Sequence, residues 1–151
     1  MKRVLITACL LAVMAALGWA TVAQAVQPAS KPFIHVSPSP SRLDLGTAVS
    51  PGFYDVPKAL TLNIDSNCLH GPIVISASNL KRHPGGYIPA GRIFVRSSAT
   101  SGFVNLDRPV AVSRPEVGSH KIVVDVQVLT GFSDMAGRYS GAFTVTVMPP
   151  V

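Results

Sequence analysis

The stretch KIVVDVQVLT at residues 121–130 decides the fold class, because apolar side chains occupy every second position along it. Ile122, Val124, Val126 and Val128 fall on one face of an extended chain. Alternation with a period of two is typical of a β-strand that has one face on a hydrophobic core and the other in water. The stretch therefore predicts a half-buried β-strand.

The same alternation recurs through most of the chain. We expect turns or loops at 49–57 and 82–91, because proline fixes φ and glycine permits positive φ. The spacing of strands and turns predicts an all-β fold, a two-sheet antiparallel sandwich of about seven to nine strands. The predicted strands are 33–37, 42–46, 60–67, 72–78, 92–96, two pieces of 103–112 split at Pro109, 121–130 and 139–147.

The first 25 residues are predicted to be a cleaved secretory signal peptide. A short basic start, an apolar run at 4–20 and the small residues of AQA at 23–25 are typical of such a signal. Two alternatives stay open at this point. The apolar run is close to the length of a membrane anchor, and LITAC resembles a lipobox that ends at Cys9.

The sequence is predicted to have three parts. These are the signal peptide at 1–25, a flexible proline-rich leader with a short strand at 26–41, and one sandwich domain at 42–151. We expect an exported protein of the periplasm, the cell surface or the extracellular space. We expect no transmembrane segment once the signal is removed.

The charge pattern argues against a nucleic-acid partner. Removal of Lys2 and Arg3 leaves 11 basic residues against 7 acidic ones, a net charge of +4. These charges are scattered, whereas a nucleic-acid binder carries a basic stripe or patch. Cys68 then remains as a single cysteine, so an internal disulfide is excluded and stability must come from packing.

The sequence contains no recognisable catalytic motif. It has no GxSxG elbow, no HExxH pair and no glycine-rich phosphate loop. A pairing of Cys68 with a distant histidine stays open, but no feature selects it. We expect a protein that is not an enzyme and has no cofactor.

Cys68 and His70 are weak candidates for a metal site. They lie two residues apart in NCLHG, which is predicted to be a loop, and thiolates and imidazoles bind copper or zinc. The alternative is an ordinary loop with a small thiol.

Arg92, Phe94 and Arg96 form a candidate surface-binding stripe on one strand face, opposite Ile93 and Val95. Two guanidinium groups with an aromatic ring between them could bind a glycan or an anionic polymer. The alternative is a solvated strand whose arginine stems cover apolar surface.

The end of the chain resembles a known family. AGRYSGAFTVTV is similar to the AGxYxGxxTVTV ending of bacterial immunoglobulin-like modules and of fimbrial and spore-coat-U-type subunits. SRLDLGTAVSPG resembles the opening of bacterial immunoglobulin-like repeats. The residues that carry the match are Ala136, Gly137, Tyr139, Gly141, Thr144, Val145, Thr146 and Val147, with Leu43, Leu45, Gly46 and Gly52.

This resemblance implies an immunoglobulin-like sandwich in which Gly137 and Tyr139 form a tyrosine corner. The tyrosine-corner strand of that fold is normally followed by one more strand, whereas only MPPV follows here. The chain's own N-terminal segment could fill this position, or a neighbouring molecule could, as in fimbrial families whose subunits donate a strand. The donor candidate is the segment 26–37, in which Ile34 and Val36 alternate with polar residues.

Taken together, these patterns favour an exported, non-catalytic, immunoglobulin-like structural or partner-binding module of the cell envelope. A protein partner or self-association is expected. One alternative is a self-assembling, fimbria-like surface subunit that uses donor-strand addition. The other is a periplasmic metal-binding protein that uses Cys68 and His70.

Overall fold

The computed structural model describes residues 30–41 and 43–148. The predicted signal peptide, the first residues of the leader, Arg42 and residues 149–151 lie outside this part. The described chain has one short 3-10 helix, Ala90–Arg92, and twelve strands. The strands are β1 (Ile34–Ser39), β2 (Thr47–Ala48), β3 (Gly52–Ser66), β4 (Ile73–Ala77), β5 (Leu80–Arg82), β6 (Tyr87–Ile88), β7 (Ile93–Arg96), β8 (Val104–Asn105), β9 (Val110–Ala111), β10 (His120–Thr130), β11 (Gly137–Ser140) and β12 (Phe143–Val147).

The largest sheet has five antiparallel strands in the order β1-β3-β10-β7-β8. Its centre is the long pairing of β3 with β10, which runs from Gly52 opposite Thr130 to Ile64 opposite His120. The alternation at 121–130 is observed as predicted. Ile122, Val124 and the other inward residues of β10 are at most 5% exposed.

The other strands form two smaller antiparallel sheets, with orders β2-β11-β5-β6 and β12-β4-β9. Both sheets use the same two stretches of chain, because β4 runs on into β5 and β11 runs on into β12. The backbone N–H of Ser78 donates to the carbonyl of Ala142 at 2.9 Å. The Ala142 N–H donates to the Ser78 hydroxyl at 2.8 Å. These bonds bridge the point where the two small sheets meet.

One hydrophobic core unites all three sheets. Leu62 and Val124 of the large sheet are 0% exposed, as is Ile75 of β4, and Leu80 of β5 is 2% exposed. All of them belong to a single cluster of buried apolar side chains. Burial of apolar surface is the main stabilising term in folding, so we expect the three sheets to unfold together.

The strand count is higher than the predicted seven to nine, and the sheets number three rather than two. Irregularities split two long stretches, 73–82 and 137–147, into four strands. Very short strands add further elements, including β6 inside the predicted loop 82–91 and β2 at Thr47–Ala48. The predicted strand at 42–46 was wrong in its position, since residues 43–46 have no regular structure.

The predicted turn at 49–57 was also wrong, because β3 begins at Gly52 and continues through Pro57. The strand passes the proline by bulging. Lys58 adopts a φ of 52°, and the register to β10 shifts between Val124 and Val126. The Asp125 carboxylate accepts a hydrogen bond of 2.8 Å from the Lys58 N–H. A side chain thus replaces the ladder bond that the bulge removes.

Among the described residues, no helix has the length and hydropathy that a membrane crossing would need.

We predict that Val124→Ala destabilises the protein by about 2–3 kcal/mol, since two buried methyl groups and their contacts are lost. The matched control is Val123→Ala on the same strand, because Val123 is 43% exposed. Its free energy of unfolding should change by about 0.5 kcal/mol or less. Urea unfolding of both variants provides the measurement. Equal losses would contradict the assignment of the two faces of β10.

Candidate functional site

The turn into β11 is held by the hydroxyl of Tyr139. This hydroxyl donates a 2.7 Å hydrogen bond to the backbone carbonyl of Met135, four residues upstream. The ring is half-buried and packs against the core. The bond closes the loop that connects β10 to β11, and it has the geometry of a tyrosine corner.

The two glycines around Tyr139 allow close approach of the neighbouring strand. Gly137 has a φ of 148°, and a Cβ placed there would lie 2.6 Å from the Arg82 side chain. A Cβ at Gly141 would lie 2.7 Å from Leu80. A side chain at Gly137 would displace the end of the Arg82 side chain, whereas one at Gly141 would press on the buried Leu80.

β11 and β12 differ in what lies along their outer edge. β2 pairs with β11 at Gly137 and Arg138, and Arg138 makes a 2.9 Å ion pair with Asp44 beside it. β12 comes next along the chain and is the edge strand of its sheet. No strand of the described residues pairs with its outer side.

The hydrogen bonds of β12 fix which of its backbone groups face outward. The carbonyl of Ala142 accepts a bond from Ser78, and the N–H of Met148 donates to Pro72 at 3.2 Å. Bonded pairs recur at every second residue of an antiparallel ladder. Thr144 and Thr146 therefore bond to β4 as well.

The backbone N–H and C=O groups of Phe143, Val145 and Val147 consequently point away from β4. The side chains of these three residues are half-buried and pack against the core. The side chains of Thr144 and Thr146 are exposed. The outer edge of β12 thus combines a row of apolar side chains with backbone groups that no strand of residues 30–41 or 43–148 pairs with, and a β-strand from another segment can use this combination.

The donor candidates Ile34 and Val36 lie in β1. They pair with Ser66 and Ile64 of β3 in the same chain, and both pack against the core. To serve as a donor for another molecule, β1 would have to leave β3.

The candidate surface-binding stripe consists of Arg92, just before β7, and of Phe94 and Arg96 within β7. Its side chains contact other residues of the same chain. Ile93 and Val95 are buried as expected, and Phe94 makes an edge-to-face contact with Phe53 at 6.2 Å. Arg96 binds Asp125 at 2.8 Å. The stripe therefore presents less free positive charge than its sequence suggests.

Asp125 connects the stripe to the bulge in β3. The Lys58 N–H and then the Arg96 guanidinium hold the pKa of Asp125 below its ordinary value. The Arg96 guanidinium also lies 4.6 Å from the centre of the Phe103 ring. Sequence reasoning missed this role of Asp125, because Lys58 is 67 residues away and no local pattern links the two.

Arg92 lies in the short 3-10 helix and binds the carboxylate of Asp134 through two bonds of 2.6 and 2.9 Å. The pair borders a surface cleft of about 350 Å³ that Tyr87, Met135 and Tyr139 also line. The Arg92 guanidinium and then the backbone N–H of Gly131 hold the pKa of Asp134 below its ordinary value. Asp134 therefore stays ionised, and the positive charge of Arg92 balances its negative charge.

Cys68 and His70 lie in the loop between β3 and β4. The Cys68 thiol is half-buried and lies 3.5 Å from the carbonyl of Phe33. His70 is fully buried and has the ring of His120 as its aromatic neighbour. Within the part of the chain that the structure describes, no three His, Cys, Asp or Glu side chains form a ready metal cluster.

No protein-family model matches this chain, and no curated protein matches it.

We predict that Tyr139→Phe lowers the free energy of unfolding by about 0.5–1.5 kcal/mol, because it removes one hydrogen bond and keeps the ring. The control is Tyr87→Phe, since Tyr87 is 60% exposed and its hydroxyl is not part of the corner. Thermal unfolding of both variants measures the difference. A Tyr139→Phe variant as stable as the control would show that the corner bond is unimportant.

We also predict that Asp134 makes stability depend on pH at the acid end. Because its folded pKa lies below the unfolded value of about 3.9, its contribution is fully present well above that value. The contribution is lost as the pH falls through the folded pKa. Asp134→Asn should therefore be less stable than the parent at neutral pH, with a smaller difference near pH 3. A difference that stays constant in melting curves across this range would contradict the assignment.

Proposed function

We propose that this protein is an exported, non-catalytic, immunoglobulin-like β-sandwich that binds an extended segment of a partner protein along the outer edge of β12. The observation that carries the proposal is the row of outward backbone groups on Phe143, Val145 and Val147. Such an edge pairs readily with an added strand, and proteins usually blunt or cover it when it has no such use.

The arrangement of strands supports the sandwich. The order β1-β3-β10-β7 corresponds to strands A, B, E and D of an immunoglobulin constant-type domain. The stretches β4–β5 and β11–β12 then correspond to C and F, bridged at Ser78 and Ala142. The bond from Tyr139 to Met135 agrees with the tyrosine corner expected on strand F.

In this correspondence the outer edge of β12 is the position of strand G. A strand added there would pair its backbone with three residues of β12. Its inward side chains would extend the core beside Phe143, Val145 and Val147, which are only partly covered. Main-chain bonds would provide affinity and the apolar contacts would provide selectivity, as in other examples of strand addition.

Export is supported by the sequence of the first 25 residues, which has the charge and apolar pattern of a signal peptide. Assignment to the cell envelope follows from export and from the resemblance of residues 136–147 to envelope modules. The mild, scattered positive charge is consistent with a protein partner.

A second copy of the chain is the alternative partner, as in a fimbria-like subunit. The specific observation that bears on it is the pairing of β1 with β3 in the same chain. Ile34 and Val36 would become available to a neighbour only if β1 left the five-stranded sheet. For this reason we favour a segment from a different protein.

The test is hydrogen exchange by NMR together with light scattering, on protein produced from the full sequence and purified without a tag. We expect a monomer in which the amides of Phe143, Val145 and Val147 exchange quickly and those of Thr144 and Thr146 exchange slowly. Concentration-dependent association that protects the first three amides would identify a second copy as the partner. Slow exchange of these amides in a monomer would show that the chain covers its own edge, and the proposal would be wrong.

A pair of proline variants tests the orientation of β12. Val145→Pro removes an outward N–H, which an edge strand tolerates. We expect it to remain folded and to lose strand addition. Thr144→Pro removes an N–H that bonds to β4, so its melting temperature should fall further. Equal effects in thermal unfolding would contradict the alternation assigned to β12.

A further inference from the structure

The loop between β10 and β11 holds a phenylalanine almost entirely in solvent. Phe132 is 97% exposed, which is the highest exposure among the large apolar side chains of the described residues. A single exposed apolar side chain is ordinary on a protein surface, whereas a group of them marks an interaction site. The significance of Phe132 therefore depends on how it is held and on what lies beside it.

The turn that carries Phe132 is closed by hydrogen bonds on both sides of the ring. The Asp134 N–H donates to the carbonyl of Gly131 at 3.1 Å, and the Gly131 N–H donates to the Asp134 carboxylate at 2.6 Å. The same carboxylate accepts two bonds from Arg92. The turn is thus ordered before anything binds, which favours binding. Because Arg92 balances Asp134, no free negative charge lies beside Phe132.

Two further apolar side chains extend the surface around this turn. Met135 and Tyr87 are each 60% exposed. Both line the surface cleft of about 350 Å³ together with Ser133 and Asp134, which directly follow Phe132 in the chain. Phe132, Met135 and Tyr87 therefore form one apolar surface at this end of the sandwich, which we name the loop-end patch.

Positive charge lies directly beside the loop-end patch. The Arg82 guanidinium is 3.3 Å from the sulfur of Met135. Lys81 is exposed and lies opposite Tyr87 in the pairing of β5 with β6, so the two side chains are on the same face. Among the described residues, no carboxylate makes an ion pair with Lys81 or Arg82. The patch thus combines exposed apolar side chains with two uncompensated cations.

We propose that the loop-end patch binds the surface of an anionic lipid bilayer. In this arrangement Phe132 enters the apolar layer, and Lys81 and Arg82 lie at the headgroups. Burial of apolar surface and attraction to anionic headgroups add together in binding of this kind. A bilayer supplies both contacts without a shaped pocket, whereas a protein partner would need a pocket for the ring and carboxylates placed against both cations. The proposal is independent of the β12 edge and uses none of its residues.

The test is flotation with lipid vesicles, on protein produced from the full sequence and purified without a tag. The vesicles are phosphatidylcholine alone or an equal mixture of phosphatidylcholine and phosphatidylglycerol. We expect binding to the mixed vesicles, weaker binding to the neutral ones, and release from the mixed vesicles when NaCl is raised from about 0.05 to about 0.5 M, since salt screens the charges. Any binding by the predicted signal peptide is common to parent and variants, so their ratio isolates the patch.

Matched variants separate the patch from the rest of the surface. Phe132→Ala should lower the partition coefficient on mixed vesicles at least tenfold, because the buried ring is lost. Lys81→Gln should lower it about fivefold, which is the effect of one cation near an anionic surface. The controls are Phe33→Ala and Lys121→Gln, which change the same residue types at the opposite end of the large sheet and should bind as the parent does. All four side chains are exposed, so the melting temperatures should stay close to that of the parent.

Tryptophan fluorescence tests insertion directly. Trp19 is the only tryptophan of the sequence, and the parent spectrum is subtracted to remove it. The emission of Phe132→Trp should move to shorter wavelength when mixed vesicles are added, because the indole leaves water. Val123→Trp, at a position that is 43% exposed on β10, should show no such shift.

Three results would overturn the proposal. The first is absence of binding by the parent to mixed vesicles, and the second is equal binding to neutral and mixed vesicles. The third is equal binding by the parent and Phe132→Ala. Association between protein molecules that Phe132→Ala abolishes, without binding to vesicles, would show instead that the patch is a protein interface.

Discussion

The pairing of β3 with β10 is the constraint on which the rest of the structure depends. β1 pairs with the outer side of β3, and β7 pairs with the outer side of β10. The inward residues of β3 and β10, such as Leu62 and Val124, belong to the hydrophobic core. The pairing has to cross Pro57, which has no N–H to offer the ladder. The strand bulges there, and the Asp125 carboxylate accepts the Lys58 N–H at the bulge. One side chain therefore joins β3 to β10 at the point where the ladder is interrupted.

The same core includes strands of the smaller sheets. Ile75 of β4 and half-buried apolar side chains of β12 belong to the cluster that contains Leu62 and Val124 of the large sheet. On the far side of β12 the described residues provide no further strand. β12 packs against the core and pairs with β4 on one side only. Its other side is therefore suited to binding an added strand. The exposed Thr144 and Thr146 keep its outer face polar, which limits unspecific association.

The inner faces of β7 and β10 could be predicted from sequence, because alternation in a half-buried strand is a local property. Ile93, Val95 and Ile122 are buried as the pattern indicates. The errors come from interactions between distant residues. Pro57 predicts a turn unless Asp125 is known to hold the bulge. The break between β11 and β12 depends on Ser78, which is 64 residues from Ala142. For the same reason the sequence indicated Cys68, the near neighbour of His70, and not His120, with which the fold places it.

The bulge and the histidine pair lie at different points along one strand pairing, and this separates two properties of the molecule. Asp125 bonds to β3 at the bulge, where the register shifts between Val124 and Val126. His120 is the last paired residue at the other end, opposite Ile64, and the ring of His70 lies beside its ring. The bulge at mid-strand is therefore held by a side chain, whereas the end of the pairing is closed by backbone bonds between Ser66 and Gly118. The two devices use different residues, and both act on the same central strand pair.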